Sequence, residues 1–229
     1  MLEGSRQIIH YGVNFLMAPA IHLNTERQLK FQEVLSKNKL EFDQTNKVDE
    51  KSYVFASTKT DPLEVRVGFA GPEVSQLLIL SSAPSRSKDI FEEQAELICK
   101  SFCEIWKEPQ QVLQRDICIR SLYQTKNAHA FQFLWEERLK QNQTSISPLG
   151  RPVLGGGLRI VMPPHEHSAT QIELKIESFL RDSRMLFVEI QYVWKNLLPL
   201  ADGLAPRQLI EEAEIFNKEK LMPFIQGKA

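Results

Sequence analysis

The chain has few cysteines and no framework in which to use them. Cys99, Cys103 and Cys118 form an odd set with no paired spacing. That excludes a disulfide scaffold and predicts reduced thiols in a cytoplasmic protein. Cys99 and Cys103 stand four apart in a helical pattern and read as two small core-facing residues. No charge of one sign is in excess: 28 basic and 29 acidic side chains leave a net charge of −1. A general polyanion binder needs a basic field, so this balance disfavours nucleic acid as a partner. No apolar run approaches the ~20 residues of a membrane span, so no membrane segment is expected. The stretch MLEGSRQIIHYGVNFLMAPA alternates apolar with polar residues and lacks the basic start of a signal peptide. The phosphate loop, the dinucleotide fingerprint and the nucleophile elbow are all missing. The expectation therefore leans away from an enzyme and includes no cofactor.

What is present is an ordinary globular composition, 42% hydrophobic and 25% charged over 229 residues. A chain of that length buries a large core without disulfides or metal. Ile9, Tyr11, Val13 and Phe15 alternate with polar or small residues, the signature of a half-buried strand. Thr25 with Gln28 forms a capping-box pattern, which predicts a helix from about Glu26 to Lys37 with Phe31, Val34 and Leu35 buried. Short strands are predicted at Leu40 to Gln44 and Tyr53 to Ser57, with a polar turn at Thr45 to Lys51. Leu63 to Phe69 and Gln76 to Ser82 read as a strand pair around Ala70-Gly71-Pro72. Phe91, Ala95, Ile98, Phe102 and Ile105 then mark one face of a long helix, ended before Pro109.

From Val112 the pattern starts again. Ile9, Val13 and Phe15 match Leu113, Ile117 and Ile119 at a shift of 104. Leu63 and Leu77 match Ile172 and Leu186 at 109. Phe91, Ala95 and Ile98 match Leu209, Ala213 and Phe216 at 118. The shift grows in connecting segments, where insertions are tolerated. A helix is predicted at Ala128 to Lys140, a short strand at Thr144 to Ser147, and strands at Leu158 to Met162, Ile172 to Ser178 and Met185 to Trp194. Pro206 suits the first turn of a last helix.

The expected fold class is α+β: two pseudo-symmetric repeats of β-α-β-β-β-β-α, residues 1–109 and 110–229, forming one large curved antiparallel sheet with helices on one face. That element order resembles the TATA-binding-protein-like fold across the whole chain. The resemblance implies one saddle made of two joined sheets, with helices on the convex side. Fold does not fix function, so DNA binding is not carried over. The strand positions opposite the helices argue against it. Glu64, Arg66, Asp116, Arg120, Glu173, Lys175, Glu177 and Glu189 are five acidic and three basic residues, whereas a minor-groove binder needs cations that neutralise phosphates. The same face carries Leu78, Leu80 and Phe187. A face mixing apolar and charged groups suits a protein partner or a second copy of the chain.

Two local clusters remain. Pro163-Pro164-His165-Glu166-His167 places two imidazoles on one side of an extended segment, and His165 with His167 is the candidate metal pair. Gly150 to Gly157 is glycine-rich, but a strand rather than Lys-Ser/Thr and a helix follows it, so it reads as a hairpin or lid. The leading expectation is a non-enzymatic binding or assembly protein that takes a protein partner or associates with itself as a homodimer. Its face would be Glu64, Arg66, Leu78, Leu80, Glu173, Lys175, Phe187 and Glu189. The alternative is a small-molecule or metal site in a cleft between the repeats near Gly155–Gly157 and His165–His167.

Overall fold

The computed structural model describes residues 2–48, 51–58, 62–82, 87–166 and 168–227. In chain order the elements are β1 (Leu2–Ala18), α1 (Thr25–Lys37), β2 (Gln44–Val48), β3 (Ser52–Ser57), β4 (Leu63–Gly71), β5 (Val74–Ser81) and α2 (Lys88–Ile105). Then follow β6 (Gln111–Thr125), α3 (Ala130–Gln132), β7 (Gly157–Met162), β8 (Thr170–Ser178), β9 (Met185–Trp194), β10 (Leu198–Pro199), α4 (Leu200–Gly203), α5 (Pro206–Phe216) and α6 (Met222–Gln226).

The strands form one antiparallel sheet of ten, in the order β2-β3-β4-β5-β1-β6-β9-β8-β7, with β10 paired to β6. The fold is therefore α+β around a single sheet. β1 and β6 lie at the centre, and Val13 pairs with Ile117. Moving outward on either side, the last strand of each half comes next and then the earlier ones in reverse. The ladders set the register. Val13 pairs with Ile79 and Ile117 with Tyr192, so the flanking strands differ by 192 − 79 = 113. That is four residues more than the 109 read from the apolar pattern, which leaves every side chain on the same face.

Alternation decides which face is buried. Tyr11, Val13, Phe15 and Met17 of β1 are inside the core, as are Val65, Val67, Leu77 and Ile79. Helices cover this face. Phe91 of α2 stacks on Tyr11, Phe216 of α5 meets Tyr192 edge-on, and Phe31 of α1 meets Phe55. Of the predicted α2 stripe, Phe91, Ala95, Ile98 and Phe102 are fully buried and Ile105, in the last turn, is partly buried. Ser87 caps that helix by accepting from the Ile90 amide at 3.3 Å. For α1 the cap is Asn24, whose side-chain oxygen accepts from Arg27 N at 2.8 Å. Thr25 is already helical.

The second half departs from the expected element list. The strand expected at Thr144 to Ser147 is instead a 3₁₀ turn, Gln143–Leu149, begun by Asn142 accepting from Ser145 N at 3.0 Å. Pro148 has no N–H for a ladder, and short 3₁₀ pieces suit such connectors. The second half thus has three long strands where the first has four. The expected strand at Leu40 to Gln44 lies later, as β2. Two helices widen into π-type turns, at Phe133–Arg138 and Asn217–Leu221. No helix among the described residues is long and apolar enough to cross a membrane.

Candidate functional site

The face of the sheet without these helix contacts is organised in rows. In-register pairing lines up one row across five strands. His10 pairs with Arg120, Arg120 with Glu189, Glu189 with Lys175, and Lys175 with Arg159. At the near end His10 Nδ1 lies 3.3 Å from Ser82 Oγ. The row is held by ion pairs: Arg120 Nε donates to Glu189 Oε2 at 2.6 Å and Lys175 Nζ to Glu189 Oε1 at 2.5 Å. Arg159 makes two hydrogen bonds to Glu173, at 2.8 and 3.0 Å. Cross-strand neighbours on one face are close enough for such contacts. β-Strand alternation alone therefore assembles a charge chain from residues up to 179 positions apart, since 189 − 10 = 179.

Glu189 is the centre of that chain. Its side chain is only 7% exposed, while Arg120 and Lys175 are 43% and 35% exposed. Burial alone would raise its carboxyl, but hydrogen bonds and charge from Lys175 and Arg120 outweigh this and hold it below the usual carboxylate range. His10 is lowered to about 4, by burial first and then by the Arg120 cation. It is neutral at pH 7. The Cys118 thiol is raised to about 11, by burial first and then by Glu189, and is a poor nucleophile.

Two residues along, the rows carry less charge. Gly12 lies between Leu80 and Cys118. A Cβ there would fall 3.0 Å from Leu80 Cδ2 and 3.1 Å from His10 Nε2. The bare glycine thus lets those side chains converge over the central seam. Next comes a hydrogen-bonded network: Gln76 Nε2 donates to Asn14 Oδ1 at 2.8 Å, and Asn14 Nδ2 donates to Asp116 Oδ2 at 2.7 Å. Burial raises the Asp116 carboxyl despite hydrogen bonds from Gln114 and Asn14.

The expected face residues are brought together in two groups. Glu173, Lys175 and Glu189 belong to the charge chain, and Phe187 pairs across with the buried Leu122. Glu64 and Arg66 form their own ion pair on β4, beside Leu80 and Leu78 of β5. Arg159 lay outside the expected set. Its signal was the alternation of β7, which puts Gly157, Arg159 and Val161 on this face. With Arg159 added, the expected eight charges become five acidic and four basic. All but Asp116 and Glu177 are in ion pairs.

His165 is on the other side of the sheet. It and Ser168 exchange two backbone hydrogen bonds of 2.9 Å, which close a tight hairpin between β7 and β8. His167 lies outside the described residues, so the His165–His167 pair has no geometry here. No cluster of three potential metal ligands occurs among the described residues. His165 stands on the rim of a cavity of about 620 Å³. The floor is Ile160, Met162, Ile172 and Leu174 from β7 and β8, and the roof is Phe216, Leu221 and Phe224 from the last helix. Ser168, Thr170 and Lys220 complete the rim. Gly155–Gly157 is at the opposite end of β7, beside Phe131, Ser178 and Leu180, and does not share this cavity. No protein-family model matches the chain, and no curated protein matches it at a significant level.

Proposed function

We propose that this is a non-enzymatic binding protein whose working surface is the helix-free face of the sheet, and that the face docks a second copy of the chain. The observation that carries the reading is the pairing of charges within the face. Glu64 with Arg66, Glu173 with Arg159, and Glu189 with Arg120 and Lys175 are already matched. A charged face awaiting a partner of opposite sign would leave one sign free. Only Asp116, which accepts hydrogen bonds from Asn14 and Gln114, and the exposed Glu177 stand outside these pairs. A nearly balanced face with half-buried Leu78, Leu80 and Phe187 between its ion pairs suits a self-complementary contact. A two-fold dimer meets this condition directly, because both copies bring the same balanced surface.

Sedimentation velocity over a concentration series tests it. The wild-type chain is expected to move from monomer to dimer in the micromolar range. The double substitution Leu78→Arg with Leu80→Arg is expected to stay monomeric with an unchanged circular dichroism spectrum. A wild-type chain that stays monomeric to the highest concentration sinks the proposal. So does a double variant that dimerises as well as wild type.

A further inference from the structure

The cavity on the helix side is a different feature, with its own chemistry. Its roof is held open rather than left to collapse. The helix 206–226 is anchored to the sheet by Arg6, which pairs with Glu214 and donates to Ser121 Oγ at 2.8 Å. At the π-type turn, Tyr123 Oη donates to Asn217 Oδ1 at 3.2 Å, both groups buried. Beyond the cavity, Arg138 donates to the Phe224 carbonyl, and its guanidinium lies 5.4 Å from the centre of the Phe224 ring. Between these anchors the helix crosses β7 and β8 without filling the space beneath it.

The interior of that space is apolar. Leu174 of the floor and Leu221 of the roof are 4% and 1% exposed, and Ile160, Met162 and Ile172 are half-buried. Polar groups stand only at the rim. Lys220 is the one cation among the lining residues, and it has no ion-pair partner among the described residues. No Asp or Glu is among the described residues that line the cavity. A volume of about 620 Å³ falls within the range of small-molecule sites, which combine apolar walls with a few convergent polar groups. The wide turn Asn217–Leu221 has a part in this arrangement, since it carries both Lys220 and Leu221. π-Type turns recur at functional sites.

We propose that the cavity binds a small amphiphilic anion, with an apolar tail against Leu174, Ile172 and Leu221 and a single carboxylate or comparable acid beside Lys220. The tail matches an apolar floor, and the head matches an ammonium at the rim that has no ion-pair partner among the described residues. An uncharged apolar ligand would leave Lys220 without purpose. A dianion would exceed the one cation available. The site lies on the opposite side of the sheet from the proposed docking face, so neither proposal depends on the other.

Isothermal titration calorimetry with decanoate and with decanol tests this on the full chain, since the two share a tail and differ in charge. Decanoate is expected to bind one to one, about tenfold more tightly than decanol, the scale of one charge-assisted contact. Lys220→Gln, an exposed position, is expected to bring decanoate down to the decanol level. Ile172→Trp, which fills the floor, is expected to abolish binding of both. The Met162 methyl signal is expected to shift on titration, placing the ligand in this cavity. The proposal is overturned by no saturable decanoate binding, by equal affinity for the two ligands, by an unaltered Lys220→Gln variant, or by binding that leaves Met162 unmoved. Dimerisation is read separately by sedimentation, so loss of one property does not imply loss of the other.

Discussion

The two halves of the sheet share a strand order and differ in what covers them. In the first half, α1 lies over β3 and the space between is filled with rings. Phe31 meets Phe55 at 5.2 Å and Trp106 at 5.1 Å, and Phe42 meets Phe55 at 6.2 Å. In the second half the segment after β6 forms only a short helix before widening, and a 3₁₀ turn takes the place of a fourth long strand. The C-terminal helix reaches across β7 and β8 and leaves a cavity. On the other face the difference is one of charge. Among the described residues the first half has one exposed pair, Glu64 with Arg66, whereas the second half carries the chain through Arg120, Glu189, Lys175, Glu173 and Arg159. A common scaffold can thus devote one half to packing and the other to sites, because the strand ladders hold both in place.

The largest effect should come from the packed side. Phe31→Ala is expected to cost about 3–5 kcal/mol in chemical denaturation, as for other buried rings. Phe224→Ala, on the cavity roof and 37% exposed, should cost less than about 1 kcal/mol. Equal losses would erase the contrast between a filled and an open half.

Acid should act on the seam between the halves. The groups facing His10 are Arg120, Glu189, Cys118 and Ser82. Its folded value of about 4 lies below the ordinary 6.5, so the unfolded chain takes up the proton first. This contribution is complete above pH 6.5 and is lost as pH falls toward about 4. The expected loss is about 2 kcal/mol, and His10→Gln should flatten that window in denaturation curves recorded across it. An unchanged slope in the variant would contradict the burial of a neutral imidazole.

Glu189→Gln should cost about 1–2 kcal/mol, because it leaves two cations with a neutral partner; their partial exposure keeps the figure well below that of a fully buried pair. Glu189 has a lowered folded value, so its share is present above the unfolded carboxyl's range and is lost as pH falls through the folded value. Glu64→Gln, in the more exposed pair of the first half, should stay within about 0.5 kcal/mol. Thermal melts of the two variants side by side would reveal whether the charge chain differs from an ordinary surface pair.

The elements with strong periodicity were legible in the sequence. Tyr11, Val13 and Phe15 specify a strand, and the α2 stripe specifies a helix, because each buries its apolar face as the pattern requires. β2 was misplaced because Gln44–Val48 is polar and almost wholly exposed, held only by its ladder with β3. The 3₁₀ turn at Gln143–Leu149 was read as a strand for want of any apolar pattern to decide it. The face was legible in part: alternation placed Glu173, Lys175 and Glu189 together, but their pairing depends on register across four strands, which no local spacing encodes. His165 stood out in the sequence, and it does border a cavity. The rest of that cavity comes from residues 160–174 and 216–224, and its wide turn has no signature in residue type.

Hydroxyl-radical footprinting over a concentration series would test most directly whether the helix-free face is the working surface. Leu78, Leu80 and Phe187 are expected to lose reactivity as concentration rises through dimerisation. Leu29 and Ile215, exposed on the helices, are expected to hold theirs. Constant reactivity at Leu78, Leu80 and Phe187, or protection confined to Leu29 and Ile215, would contradict the account.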